Sequence, residues 1–72
     1  MTEKYKMIGR NVRKYRKLQD LTQEKLAMKT SISLSYITNI EAPNTNKSFS
    51  LEVLHDISYA LDVKASDLLE GV

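Results

Sequence analysis

Cysteine and tryptophan are absent from this 72-residue chain, which holds only one proline and two glycines. Without cysteine there is no disulfide framework and no thiolate metal site, so an apolar core alone must hold the fold. A cysteine-free chain suits a reducing cytoplasm, the expected location. So few prolines and glycines leave little material for loops, and no internal repeat or linker domain is visible. No apolar run reaches the length of a membrane span or a signal-peptide core, because Lys or Arg recurs through the first seventeen positions. The expectation is a soluble, unprocessed protein with no membrane partner. Aromatic residues are few, four Tyr and one Phe, which supplies no stacking platform for single-stranded RNA.

The chain is 42% hydrophobic and 28% charged, enough for one compact domain over residues 1–72 and too little for a second. At this size a deep catalytic pocket is not expected. Net charge is only +2, but it is unevenly spread. Lys4, Lys6, Arg10, Arg13, Lys14, Arg16 and Lys17 supply seven of the eleven basic residues, whereas Asp56, Asp62, Asp67 and Glu70 gather at the other end.

Apolar spacing is helical throughout, which predicts an all-α fold. The first helix is expected from Glu3 or Lys6 to Gln19. At about 100° per residue, Ile8, Val12 and Tyr15 share one stripe, with Leu18 at its edge and Arg10, Arg13, Lys14 and Lys17 opposite. Those four bases fit either a solvated face or a polyanion contact. Arg16 sits on the border of the stripe and would need a partner if packed there. Thr22 is a natural N-cap for a helix over Gln23 to Lys29 with Leu26 and Ala27 inward, although Lys25 stands where a capping box would place Glu or Gln. Ser33 caps the next helix, with Ile32 and Ile37 as a hydrophobic staple. That third helix turns Ile37 and Ile40 to the core, with Glu41 on the same flank, and turns Ser35, Thr38, Asn39 and Ala42 outward before Pro43 stops it. Ser50 caps a fourth helix with an apolar stripe of Leu51, Leu54, Ile57 and Leu61, stapled by Phe49 and Leu54. A short fifth helix, about Ala65 to Glu70, is expected to bury Leu68, with Leu69 as a second candidate. Met7 and Met28 read as gap fillers. His55 is alone and reads as a surface or structural histidine. No metal ligand set, Gly-rich phosphate loop or catalytic triad can be assembled, so no cofactor, metal, small-molecule ligand or enzymatic activity is expected.

Two short helices joined by a tight turn at about residues 22–42, the second with a small polar outer face, form a helix-turn-helix pattern. A helix entering the major groove needs side chains short enough to let its backbone approach and polar enough to meet base edges, as Ser35, Thr38 and Asn39 are. Four strings strengthen this reading: IGRNVRKYRK at Ile8–Lys17, LTQEKLA at Leu21–Ala27, SLSYITNIE at Ser33–Glu41 and LDVKASDLL at Leu61–Leu69. Together they resemble the Cro/cI-type helix-turn-helix family of phage and bacterial regulators. That resemblance implies a five-helix, lambda-repressor-like domain that binds double-stranded operator DNA as a two-fold homodimer. It implies that Leu34, Ser35, Thr38 and Asn39 face the bases, that Gln23 touches the phosphate backbone, and that Arg16 and Glu41 pair internally. Ser33, Tyr36 and Lys47 are further phosphate candidates, with a packed ring as the alternative for Tyr36. Ser31 departs from the family by occupying the turn position usually held by Gly, and the segment after Glu41 lacks the usual Gly.

A chain of this length, taken as complete, carries no effector domain, which favours a minimal repressor or controller. An antitoxin-like protein-interaction module, with DNA binding used for autoregulation, is the alternative. Dimerisation is expected through the fourth and fifth helices and the C-terminus, because Val63, Leu69 and Val72 exceed what so small a core can hide.

Overall fold

The chain folds into five α-helices, α1 (Thr2–Leu18), α2 (Gln23–Thr30), α3 (Leu34–Glu41), α4 (Leu51–Ala60) and α5 (Ala65–Leu68). The structure, a computed structural model, describes residues 2–43 and 48–72, and no strand occurs among them. Helix starts follow local chemistry. The side chains of Thr22, Ser33 and Ser50 each accept a backbone N–H three residues on, from Lys25, Tyr36 and Val53, all at 3.1 Å. At the start of α5 the Asp67 carboxylate accepts the Lys64 N–H at 3.0 Å.

Helix ends are less orthodox. Asp20, Ser31 and Asp62 adopt left-handed φ of 55°, 61° and 55°, just beyond α1, α2 and α4. A short polar side chain tolerates this region better than a branched one, but still at a steric cost that glycine avoids. At Ser31 the neighbouring Thr30 hydroxyl closes the turn. It lies 2.9 Å from the Leu26 carbonyl and 3.1 Å from that of Ala27, and accepts the Ile32 N–H at 3.2 Å.

Helix α1 packs on α3 and α5, α2 packs on α3 and α4, and α4 packs on α5, so α1 and α4 are joined mainly through the shorter helices. Val12, Leu26, Ile37, Ile40, Ile57, Leu61 and Leu68 form the fully buried centre. Tyr15, Ile32, Tyr36, Phe49 and Val63 close over it from the edges. Phe49 also meets Tyr5 edge-on, with ring centroids 5.1 Å apart, and so joins the entry to α4 to the start of α1.

Three apolar residues stand outside: Leu51, expected within an inward stripe, Leu18, expected at the edge of one, and Met28, expected to fill a gap. Leu18, Met28 and Leu51 are 70%, 81% and 80% exposed. On α1 the buried residues are Ile8, Gly9, Val12 and Arg16, so the inward stripe is centred on the flank that carries Gly9 and Arg16. At about 100° per residue Leu18 falls roughly 135° from that centre. Counting only apolar side chains misplaced the stripe, because a glycine and an arginine are part of it. Leu51 opens α4 roughly 90° from the mean direction of Leu54, Ile57 and Leu61. Met28 lies on the side of α2 away from buried Leu26 and Ala27 and fills no gap. The fifth helix ends at Leu68 rather than Glu70, and the N–H groups of Leu69 and Glu70 continue in tight turns to Ser66 and Asp67.

Polar bonds add to the apolar packing between α1 and the C-terminal end. The Asn11 amide donates to the carbonyls of Leu68 and Glu70, 2.9 Å each. The Gln19 amide donates to the Leu61 carbonyl. Both satisfy carbonyls that the ends of α4 and α5 leave without helical partners.

Candidate nucleic-acid interface

Helix α3 is held from behind and open in front. Ile37, Ile40 and Glu41 are buried, whereas Leu34, Ser35, Thr38 and Asn39 are exposed, so all four base-facing candidates lie on the open side of one helix. The N-terminal cap at Ser33 and the Ile32–Ile37 staple fix the angle at which the chain enters α3. At the far end Ala42 leaves in an extended conformation, φ −65° and ψ 133°, which suits a residue preceding proline.

Behind that face lies a charged network. Arg16 donates from Nε to Glu41 Oε2 and from a terminal nitrogen to Oε1, both at 2.8 Å, and from its other nitrogen to the Leu21 carbonyl at 2.7 Å. The two side chains are only 10% and 2% exposed. This paired fork geometry is the strongest form of arginine–carboxylate contact, and each of the three guanidinium nitrogens of Arg16 donates one bond. The Arg16 pKa is raised above its ordinary value, first by the hydrogen bonds to Glu41, against a lowering by burial, with the opposite charge of Glu41 adding to the rise. One ion pair thus joins α1 to α3, and the Leu21 bond holds the entry to α2 in the same node.

Gln23 belongs to the network. Its Nε2 donates to Glu41 Oε1 at 3.1 Å, and since a carboxylate only accepts, the amide orientation is determined. One N–H of that amide remains for an outside acceptor. Its Oε1 lies 3.5 Å from the Thr38 hydroxyl, but that hydroxyl donates to the Leu34 carbonyl at 2.8 Å. With its single hydrogen used, Thr38 offers a ligand its methyl group and its oxygen as an acceptor.

Gly9 is a member of the site that periodicity did not single out. A Cβ on it would stand 2.0 Å from the Ile40 carbonyl oxygen, so α1 and the end of α3 approach as closely as backbones can. The signal available in sequence was a glycine inside a helical pattern, which lowers helix propensity and usually has a packing reason. Thr30 was likewise missed, because its role in closing the turn depends on the left-handed backbone of Ser31.

The remaining candidates are divided. Ser33 is exposed, with its hydroxyl oxygen occupied as a cap acceptor. Tyr36 is half-buried and packed against the core edge. Lys47 lies outside the described residues. His55 is exposed on α4, 3.9 Å from Asp56. Among the described residues no group of three His, Asp or Glu side chains could hold a metal ion, and no helix is long and apolar enough to cross a membrane.

The geometry has counterparts. Residues 9–72 match the sequence model of a family described as helix-turn-helix domain. The fold is similar to the crystal structure of the restriction-modification controller protein C.AhdI from Aeromonas hydrophila, with a TM-score of 0.81 and 26% identity over 89% of this chain and 94% of that one. No curated protein sequence matches at the same level of significance. With a family match over nearly all of its length, a capped second helix open to solvent and a matching controller fold, the chain belongs to the Cro/cI-type helix-turn-helix family of DNA-binding transcriptional regulators.

Proposed function

We propose that this protein is a sequence-specific regulator, a repressor or controller, that binds a palindromic double-stranded operator as a homodimer. The observation that carries the reading is the exposed face of α3, where Leu34, Ser35, Thr38 and Asn39 stand clear of the domain while Ile37, Ile40 and Glu41 anchor the other side. In this reading Asn39 pairs with adenine N6 and N7, and the apolar parts of Leu34 and Thr38 meet a thymine methyl. Gln23, through its remaining amide N–H, and Ser33 and Tyr36 approach phosphates at the start of α2 and α3. No Arg or Lys lies between Leu34 and Ala42, so direct readout leans toward A·T pairs, since guanine is normally read by those two residues.

Similarity to a restriction-modification controller over nearly the full length of both chains supports a regulator built from this fold. An apolar groove between the start of α1, the start of α4 and the C-terminal residues supports a dimer. It is lined by Tyr5, Ile8, Phe49, Leu51, Leu69 and Val72, among others, and Leu51, Leu69 and Val72 are exposed there. Val63 is half-buried and contributes less than its hydrophobicity suggested. Pairing on this side would set two copies of α3 about 34 Å apart, one turn of DNA.

A binding selection on randomised duplex DNA with the wild type and Asn39→Ala, run alongside sedimentation of the complexes, tests the reading. The wild type should recover an inverted repeat and sediment as two chains per duplex. Asn39→Ala should lose about 1–3 kcal/mol of discrimination at one base pair per half-site. A single unrepeated site bound by one chain would remove the dimer, and identical preferences for both proteins would remove Asn39 from the reading face.

A further inference from the structure

The seven basic residues of α1 are not equivalent, and the fold separates them. Two helices flank α1 on opposite sides. Gly9 and Arg16 meet α3, whereas Asn11 reaches the end of α5. Lys14 is on the α5 side, with its ammonium 4.0 Å from Glu70 and 5.3 Å from the centre of the Tyr15 ring. Arg13 lies on the α3 side. It lines one hollow together with Gln23, Thr38, Glu41, Ala42 and Pro43, and a second, adjoining hollow with Lys6, Arg10 and Pro43. Arg10 and Arg13 are exposed and make no ion pair among the described residues, and Lys6 has only a loose 3.8 Å contact with exposed Glu3. Glu41 does not neutralise them, because its carboxylate is buried and committed to Arg16 and Gln23. The result is a cationic trough that begins at Thr38 on the reading face and runs along α1.

We propose that Arg10 and Arg13, with Lys6 beyond them, form a second strip of the DNA interface that grips the sugar-phosphate backbone beside the groove occupied by α3. This rests on the DNA-binding reading above. The major groove is about 12 Å wide, so a helix seated in it has a phosphate strand close along each flank. The trough opens on the flank where α3 meets α1, and its border residues Gln23 and Thr38 belong to the proposed contact surface. Guanidinium groups suit the position, since a planar fork takes two phosphate oxygens at once. Gly9 is what brings them there: with no side chain between α1 and the Ile40 carbonyl, the α1 backbone sits near enough for the next turn to reach past α3. Lys14, turned to Glu70, has no part in the strip.

The test is the salt dependence of binding, measured by fluorescence anisotropy on the selected operator and on random duplex for the wild type, Arg10→Gln, Arg13→Gln, the double variant and Lys14→Gln. Each arginine variant should weaken binding to both DNAs alike and flatten the slope of log K against log salt by about 0.9, and the double variant by about twice that. Lys14→Gln should keep the wild-type slope. A methylphosphonate placed at the flanking phosphates should weaken the wild type and leave the double variant unaffected. All substituted residues are exposed, so thermal melts should coincide. A double variant with the wild-type slope would overturn the assignment while leaving operator binding in place. Altered base preference in place of a uniform loss would also overturn it, because the arginines would then be reading bases. A wild type that binds neither DNA would instead overturn the DNA-binding reading and this strip with it.

Discussion

Replacing Glu41 with alanine should remove a large share of the stability of this domain. The substitution leaves the Arg16 guanidinium without its two 2.8 Å carboxylate bonds in a position where its side chain is only 10% exposed, with the Leu21 carbonyl as its one remaining partner. It also deprives the Gln23 amide of its acceptor. Breaking one side of a buried pair typically costs about 3–5 kcal/mol, mostly because the other charge stays in a medium that cannot solvate it. A 72-residue domain at about 0.05–0.15 kcal/mol per residue has only about 4–11 kcal/mol in total. At about 4–8 °C per kcal/mol for a domain of this size, Tm should fall by at least about 12 °C. Urea titration followed by circular dichroism measures the change, with an unaltered m-value as the sign that both proteins unfold between the same end states. Arg16→Met combined with Glu41→Leu separates the causes. If the loss comes from an uncompensated charge, the apolar pair should recover most of it or exceed the wild type. A Glu41→Ala protein within about 1 kcal/mol of the wild type would refute the reasoning, since water would then be solvating Arg16 as well as Glu41 does. Because the Arg16 pKa is raised, its contribution is fully present below the ordinary arginine range and is lost only as pH rises through the still higher folded value. Arg16 should therefore lend no pH dependence to stability between about pH 6 and 10.

Gly9→Ala places a Cβ 2.0 Å from the Ile40 carbonyl oxygen, a backbone atom that cannot swing aside, so α1 and α3 must separate. A loss of about 1–3 kcal/mol in the same urea assay is expected despite alanine's better helix propensity, and a stabilised variant would show that the approach is not tight. Ser31→Gly should act in the opposite sense, raising stability by up to about 1 kcal/mol by relieving a left-handed residue with φ of 61°, whereas Ser31→Val should lower it. Equal melting of all three proteins would mean that the Thr30 turn sets the energy alone.

Much of the architecture was legible in the chain because it is decided within a few residues. A serine or threonine that accepts an N–H three positions on defines a helix start whatever surrounds it, and Thr22, Ser33 and Ser50 placed α2, α3 and α4 within a residue. The same locality makes the open face of α3 readable, since Ile37 and Ile40 point one way and the rotation per residue sends Ser35, Thr38 and Asn39 the other. Relations between helices were not legible in this way. The inward side of α1 depends on where α3 and α5 stand, so Leu18 was misplaced and Gly9 overlooked until the Ile40 carbonyl could be set beside it. Hydrophobic periodicity gives a direction to within a quarter-turn, and Leu51, about that far from the rest of its stripe, falls outside the core when no neighbouring helix covers it. Thr38 looks like a free hydroxyl in the sequence, and only the folded backbone shows its hydrogen committed to Leu34. The bases of α1 are alike as letters. What distinguishes Arg13 from Lys14 is one residue of helical rotation, about 100°, between a flank that meets α3 and a flank that meets α5. That difference exists only once five helices are packed against one another, because charge acts through the partners and solvent that packing leaves within reach.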